Sequence, residues 1–247
     1  MLRAGLLIIT IFAGAVPLTG QTAADIAERY TAARGGLAAW RAVSAMEWKG
    51  VYATFSQSHP FVARWQRPGL FRMEGRSLGG DFVLAADEAG PWYIFPAIDV
   101  PTAARPEGPF AGYRSMLARD AMFEPPLFAW KEKGHTLELL GPADLDGQPA
   151  VALKLTFATG EVETWYLDPR THLELAVDAT VWDFTQTDKS MRRRTFYSDF
   201  RRVGEILLPH RIEQEYGARF ALLTVEAVRL NPSLDQALFA MPKATGP

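Results

Sequence analysis

Most of the chain alternates between apolar and polar positions, which is the pattern of β-strands with one buried face. The alternation begins after Glu47 in EWKGVYATF and continues in PFVARWQ, LFRMEG and DFVLAAD. It resumes after Lys133 and runs to RFALLTVEAVRL, with Asp-Gly, Thr-Gly and Asp-Pro pairs between the runs. Short turns between alternating runs are typical of antiparallel pairing. We therefore predict about eleven strands in a single curved antiparallel sheet.

Two stretches depart from this alternation and predict helices. Ile26 and Tyr30 recur at helical spacing near the N-terminus, and LAAWRAVSAM follows a Gly-Gly stop signal as a second helical piece. Residues 101–133 contain several prolines and many large apolar side chains, with one amphipathic helix predicted around 110–121. The predicted fold class is therefore mainly β (α+β), with the sheet covered by helices.

The first 20 residues, MLRAGLLIITIFAGAVPLTG, have the layout of a secretory signal peptide. One arginine precedes an apolar run, which a proline and small residues follow. The apolar run is too short to span a membrane as a helix. We expect residues 1–20 to be a signal peptide cleaved between Gly20 and Ala24, and an uncleaved anchor is the alternative. Residues 21–247 would then form a single domain in the periplasm.

The composition excludes several kinds of chemistry. The chain has no cysteine, which excludes disulfides, thiol catalysis and cysteine-bound metal. Its four histidines lack the H-x-H and H-E-x-x-H spacings of metal ligands, so we predict no metal site and no cofactor. The net charge of −2 provides no general attraction to nucleic acid, and we predict no nucleic-acid partner.

One short motif could indicate a serine hydrolase. Residues 75–79 spell G-x-S-x-G around Ser77, the nucleophile elbow of many esterases. The elbow requires a helix after the serine, whereas LGGDFVLAAD predicts a turn and another strand. We therefore interpret the motif as a glycine-rich hairpin. An exported hydrolase remains the alternative, with Ser77 or the carboxylates of Glu161, Glu163 and Asp168, although exposed acidic residues on a strand are the commoner explanation for that group.

The segment MRRRTFYSDFRR is the densest basic patch in the chain. On a strand, Arg192, Arg194 and Arg202 would face one side, and Arg193 and Arg201 the other. The favoured interpretation is an edge strand that its charges protect against aggregation. The alternative is a docking surface for an acidic partner or for lipid headgroups.

Three segments together resemble a known family. WQRPGLFR at residues 65–72 resembles a W-x-x-(K/R)-R-P-x-x-F motif, and DEAGPWYIFPAID at 87–99 is similar to a D-G-x-x-x-W-x-Y-x-P strand. The closing NPSLDQALFAMP resembles a terminal strand with an F-x-x-P ending. Taken in this order, the segments resemble the LolA/LolB superfamily of outer-membrane lipoprotein-sorting proteins and their broader relatives, over nearly the whole mature chain.

The resemblance implies an unclosed β-barrel whose concave side is covered by helices. It also implies an apolar cavity for the acyl chains of a lipid or lipoprotein, with no catalysis, no cofactor and a monomeric protein. Arg67 matches the family arginine that contacts the helical lid. The implied function is a periplasmic carrier or sensor that meets an inner- or outer-membrane protein partner, with an RseB-like regulatory lipid sensor as the alternative.

The candidate ligand-binding residues are large apolar side chains at alternating strand positions and in the helical insertion, together with the arginine expected to contact the lid. Methionine suits a variable lipid because it is flexible and polarisable. Ordinary core packing between sheet and helices would explain any one of these residues equally well. The candidates are Phe61, Trp65, Arg67, Phe71, Met73, Trp92, Ile94, Met116, Met122, Phe123 and Phe128.

Overall fold

A computed structural model describes residues 20–183, 186–217 and 219–243. Apart from Gly20, the predicted signal peptide, residues 1–20, lies outside the described residues, as does the end of the predicted domain, residues 244–247.

The described residues form one antiparallel sheet of thirteen strands, which confirms the predicted fold class. Its order, β6-β5-β4-β3-β2-β1-β13-β12-β11-β10-β9-β8-β7, joins two meanders where the first strand pairs with the last. The strands are β1 (Ala45–Thr54), β2 (Gln57–Gln66), β3 (Leu70–Ser77), β4 (Gly80–Asp87), β5 (Gly90–Phe95), β6 (Val100–Ala104), β7 (Thr136–Leu145), β8 (Gln148–Thr156), β9 (Val162–Leu167), β10 (Glu174–Asp183), β11 (Gln186–Val203), β12 (Ile206–Tyr216) and β13 (Arg219–Leu230).

Three α-helices lie among the described residues: α1 (Ala23–Ala33), α2 (Leu37–Arg41) and α3 (Tyr113–Asp120). The helix α2 is shorter than the predicted helical piece because the chain enters β1 at Ala45. Single 3-10 turns occupy Pro96–Ile98, Gly108–Phe110 and Gln236–Leu238. The last turn lies in the closing segment that resembles a terminal strand.

The strand count exceeds the predicted eleven partly because β6 lies at the start of the proline-rich insertion. Pro101 is tolerated in β6 because this strand is an edge of the sheet and pairs on one side only, with β5. The predicted helix of the insertion is present as α3. The short edge strand β6 was therefore not predicted in this proline-rich segment, whereas the helix α3 was.

The basic segment MRRRTFYSDFRR lies within β11, which pairs with β10 on one side and β12 on the other. The edges of the sheet are β6 and β7, so the edge-strand interpretation is wrong. Alternation sends the charges to opposite faces. Arg192 and Arg194 both bond Asp178 on the neighbouring strand, whereas Arg193 faces the other way.

The largest part of the core lies where α1, α2 and the segment after α3 pack onto the concave face of the sheet. The ring of Phe128 lies 5.6 Å from that of Tyr30 and 5.4 Å from that of Trp40. Beneath them, the buried guanidinium of Arg34 pairs with Glu174 and donates from Nε to the carbonyl of Leu207 at 2.7 Å. These helices fill one end of the concave face.

Candidate functional site

The other end of the concave face holds a cavity of about 590 Å³, here called the main cavity. Its volume lies within the range of small-molecule sites, roughly 300–1,000 Å³. Most of its lining side chains are aromatic or aliphatic. They are Trp48, Tyr52, Phe55, Phe61, Ala63, Trp65, Phe71, Met73, Leu78, Phe82, Leu84, Phe95, Ala97, Ile98, Met116, Met122, Ile212, Phe220, Ala221 and Leu223, and the polar lining is Thr54, Ser77, Arg119, Asp120, Arg193, Tyr197, Gln214, Tyr216 and Arg219.

The strand register explains why these side chains share one face. Trp48 of β1 pairs with Ala63 of β2, which pairs with Met73 of β3, which pairs with Leu84 of β4. Directly paired residues of an antiparallel sheet point to the same side, so the four side chains form a row across the cavity wall. One row further along, Trp65 pairs with Phe71, and their rings lie 5.3 Å apart.

The helix α3 crosses the concave side and closes part of the cavity. Its first residue, Tyr113, donates from its hydroxyl to the carbonyl of Asp183 at 3.3 Å. At its other end, the carbonyl of Asp120 accepts from the indole N–H of Trp65 at 3.0 Å. Because these contacts join α3 to β10 on one arm of the sheet and to β2 on the other, the helix bridges the two arms. We call α3 and the following residues 121–133 the cover.

The mouth of the cavity is rimmed by exposed apolar side chains at three hairpin tips. Phe55 between β1 and β2 is 51% exposed, Leu78 between β3 and β4 is 44% exposed, and Phe220 beside the β12–β13 turn is 44% exposed. All three side chains also line the cavity. Alternate hairpins of an antiparallel meander turn at the same end of the sheet, so the tips meet around one opening.

The G-x-S-x-G motif lies in the β3–β4 hairpin, where Ser77 pairs with Gly80. A strand follows the serine where the nucleophile elbow needs a helix. Each glycine has a structural reason: a Cβ on Gly75 would lie 2.7 Å from the ring of Phe82, and Gly79 has a φ of +91°. The motif therefore forms a turn and makes room for an aromatic side chain of the cavity wall.

Polar side chains of α3, β11, β12 and β13 form a strip along one side of the otherwise apolar main cavity: Arg119, Asp120, Arg193, Tyr197, Gln214, Tyr216 and Arg219. Arg119 of α3 donates from Nε to the buried carboxylate of Glu163 at 2.8 Å, and Glu163 also accepts from the indole of Trp165 at 2.8 Å. Burial raises the pKa of Tyr197 to about 12, so its phenol is neutral at neutral pH. Burial likewise raises the pKa of Tyr52 to about 12.

A smaller cavity of about 130 Å³ adjoins the main one near the ion pair of Arg34 and Glu174. The two cavities share wall residues on β1, β2, β11, β12 and the cover. The shared residues are Trp48, Trp65, Arg119, Met122, Tyr197 and Ile212.

The structure brings many of the sequence-predicted ligand residues together at the main cavity. Met116 and Met122 approach from the cover, and the others lie on β2 and β3. These lining residues are Phe61, Trp65, Phe71, Met73, Met116 and Met122.

The predicted residues Trp92 and Ile94 lie on the opposite, outer face of β5. Trp92 is fully buried there because the C-terminal segment covers it, and its indole donates to the carbonyl of Phe239 at 2.9 Å. The other face of β5 turns Tyr93 towards α3 and Phe95 into the cavity lining. Since both faces of β5 are covered, its apolar pattern could not indicate which face meets the cavity.

Arg67 lies at the end of β2 opposite the mouth and contacts the helical elements there. Its guanidinium donates to the carbonyls of Val43 at 3.0 Å and Trp40 at 3.2 Å, and to Glu124 at 3.3 Å. It also stacks over Phe123, with 4.3 Å between the guanidinium carbon and the ring centroid. Arg67 thus joins the sheet to α2 and to the cover.

The last two predicted residues lie in the cover but outside the main cavity lining. Phe123 lines the smaller cavity, and Phe128 belongs to the core beneath α1 and α2.

Sequence reasoning missed several lining residues. The alternation in EWKGVYATF and DFVLAAD placed Trp48 with Tyr52 and Phe82 with Leu84, so a signal was present. Arg193 gave no such signal, because charged residues occupy both faces of its strand.

The three carboxylates of the alternative hydrolase have separate roles. Glu163 is buried in its ion pair with Arg119, which corrects the expectation of an exposed acidic group. Asp168 caps a turn by accepting from the N–H groups of Arg170 and Thr171, and Glu161 is exposed. Among the described residues, no group of histidines and carboxylates could hold a metal ion.

Helices of the described ranges include none that is both long and apolar enough to cross a membrane.

Comparison with solved structures identifies the class of fold. An outer-membrane lipoprotein-sorting protein domain from Vibrio parahaemolyticus matches with a TM-score of 0.56 and 13% identity, over 88% of this chain and 95% of that one. A DUF1329 family protein from Desulfovibrio piger matches at 0.55 and 14%, over 88% and 95%. A LolA superfamily protein from Nitrosomonas europaea matches at 0.53 and 14%, over 90% and 98%. The chain therefore has a LolA-like fold, as its sequence motifs predicted.

No protein-family model and no curated protein matches the sequence. At 13–14% identity, the likeness to solved structures concerns the fold alone.

Proposed function

We propose that the protein is a non-enzymatic carrier or sensor that binds an acyl chain of a lipid or lipoprotein in the main cavity. The observation that carries the proposal is a large, open, mainly apolar cavity on the concave face of a LolA-like sheet. A similar structure bears the name of an outer-membrane lipoprotein-sorting protein, and the N-terminal sequence is typical of export. The proposed site of action is the periplasm, and sorting of lipoproteins to the outer membrane is the proposed specific role.

The lining suits an alkyl chain better than a polar substrate. Each methylene transferred from water to an apolar wall contributes about 0.8 kcal/mol. Aromatic side chains such as Trp48, Trp65 and Phe61 offer a large contact area without moving polar groups out of water. The methionines of the cover, Met116 and Met122, can adjust to chains of different shape.

Native mass spectrometry of the protein purified from the exporting cell tests the proposal. We expect a bound species whose mass matches a lipid or lipoprotein, and whose release leaves the folded protein. A protein that arrives empty and also fails to take up added acyl chains would contradict the proposal.

A matched pair of variants locates the binding site. Ala63 is buried in the main cavity wall, whereas Ala53 lies on the outer face of the neighbouring strand β1. The phenyl ring of Ala63→Phe would occupy space that the alkyl chain uses. If it displaces two methylenes, affinity falls by about 1.6 kcal/mol, roughly 15-fold.

The control Ala53→Phe adds the same ring outside the cavity and should leave affinity unchanged. Equal affinities for the two variants would place the acyl chain elsewhere. Circular dichroism checks that both variants keep the sheet.

A further inference from the structure

Arg193 places a buried positive charge in the polar strip of the main cavity. Its side chain is 8% exposed, and it belongs to the cavity lining. The basic segment that contains it is otherwise explained, because Arg192 and Arg194 pair with Asp178 on the outer face. Arg193 alone of these three turns its charge towards the concave side.

The guanidinium of Arg193 is only partly satisfied. Its buried Nε has no hydrogen-bond partner, and its side chain forms no ion pair with any carboxylate in the described part of the chain. Its neighbours are the phenol of Tyr216, with which it pairs across β11 and β12, and the half-buried Asp120 at the end of α3. A buried cation with a free donor is costly unless a further acceptor reaches it.

The other two arginines of the cavity lining already have carboxylate partners. Arg119 bonds Glu163, and Arg219 bonds Asp183 at 2.9 Å. Burial raises the pKa of the Asp120 carboxyl against the attraction of Arg193 and Arg119, so Asp120 gives Arg193 a weaker partner than a fully ionised carboxylate would. Burial also opposes the charge of Arg193, but attraction by Tyr216, Asp120 and further groups outweighs it and raises the pKa of Arg193, which stays charged.

We propose that Arg193 is the headgroup-binding residue of the main cavity, and that the ligand is an alkyl chain ending in a single anionic group. This inference rests on the proposed function and names the class of ligand. Arg193 lies near the mouth of the cavity, because its strand partner Tyr216 is the last residue of β12 before the β12–β13 turn at the mouth. This position fits such a ligand. The anion would lie near the mouth, with the chain directed inwards to Trp65 and Phe71.

The geometry suits a carboxylate or a phosphate monoester. A guanidinium presents several donors in a planar fork, and charge-assisted hydrogen bonds in a water-poor site are stronger than neutral ones. Hexadecanoate and hexadecyl phosphate supply the two anions, and hexadecan-1-ol supplies the same chain with a neutral end.

The experiment measures the affinity of all three compounds by calorimetric titration. We expect the wild-type chain to bind at least one of the two anionic compounds about tenfold or more tightly than the alcohol. The anion bound more tightly identifies a fatty acid or a phospholipid-type headgroup as the source. Arg193→Met should abolish this preference by lowering the affinity for the anions far more than the affinity for hexadecan-1-ol, and Arg193→Lys should retain part of the preference.

Arg192→Met is the matched control, because it removes an arginine one position away on the outer face, where the side chain is 64% exposed. It should preserve the anion preference. If the wild-type chain binds the alcohol and the anions equally tightly, the inference is overturned while the proposed function stands. A preference for the anions that survives in Arg193→Met has the same consequence. Failure of the wild-type chain to bind any of the compounds overturns both. The wild-type comparison holds even if Arg193→Met does not fold.

Discussion

Replacement of Arg67 tests how the cover is held against the sheet. Arg67→Leu leaves a shorter apolar side chain and removes the donors of the arginine, including those to the carbonyls of Val43 and Trp40. It also removes the guanidinium stacked over Phe123 in the cover. Glu124 would keep a partner, since Lys133 lies 3.5 Å from its carboxylate. The loss therefore falls on the junction between β2, α2 and the cover.

The magnitude follows from the bonds that are lost. A hydrogen bond from a charged group contributes about 1.5–3 kcal/mol. The lower end applies here, because the Arg67 side chain is 33% exposed to solvent. The contacts that reach the cover are the bond to Glu124 and the stacking over Phe123, about 1.5 and 0.5 kcal/mol, so their loss shifts the opening equilibrium of the cover by about 2 kcal/mol, roughly 30-fold. Arg67→Lys keeps the charge without the fork and should lose about half as much.

Hydrogen exchange measured by mass spectrometry provides the assay. Peptides that contain residues 121–133 should exchange much faster in Arg67→Leu, and a bound acyl chain should leave faster. Arg64→Leu is the control, because Arg64 lies on the same strand but pairs with Glu47 and Glu74 on the outer face. The reasoning is refuted if both variants speed exchange in the cover equally, or if Arg67→Leu leaves it unchanged.

Three further predictions concern the hairpin and the outer face. Gly75→Ala would place its Cβ 2.7 Å from the ring of Phe82, so we expect a loss of about 1–3 kcal/mol in unfolding free energy, measured by urea denaturation, and a weaker acyl affinity. Ser77→Ala should change stability by no more than about 1 kcal/mol and leave acyl binding intact, and labelling of Ser77 by a fluorophosphonate probe would contradict this. Burial opposes the charge of Asp178, but hydrogen bonds from Arg194 and a second arginine outweigh it and hold the pKa of Asp178 below the ordinary 3.8. Because a lowered pKa stabilises the fold above pH 3.8, Asp178→Asn should cost about 1.5–3 kcal/mol of unfolding free energy at neutral pH. The difference from the wild type, measured by urea denaturation, should fade below pH 3.8. A difference that persists at more acidic pH would argue against the pairing.

Much of the fold could be predicted from the sequence because its signal is local. Alternating residues and short turns predicted antiparallel pairing, and the spacing of Ile26 and Tyr30 predicted α1. The pairing of β1 with β13 joins distant parts of the chain and left no local signal. The strand β6 was missed because Pro101 indicates a turn unless the strand is known to lie at an edge.

The face of each strand was harder to predict than the strand itself. On β5, the aromatic Trp92 looked like a cavity residue because nothing in its own segment indicates that Phe239 covers it from a position far along the chain. The position of Arg193 in the cavity could not be predicted, because its neighbours on both sides are also arginines and alternation therefore gave no signal for the face that it occupies. Alternation defines two faces, but long-range packing decides which face meets the cavity.

The dependence of affinity on chain length tests the central claim, that the main cavity binds an alkyl chain. A calorimetric series from octanoate to octadecanoate would be titrated into the wild-type chain and into Ala63→Phe. Each added pair of methylenes should tighten binding by up to about 1.6 kcal/mol until the cavity of about 590 Å³ is filled, and Ala63→Phe should reach its limit at a shorter chain. Affinity that does not change with chain length, or the same limit in both proteins, would contradict the account.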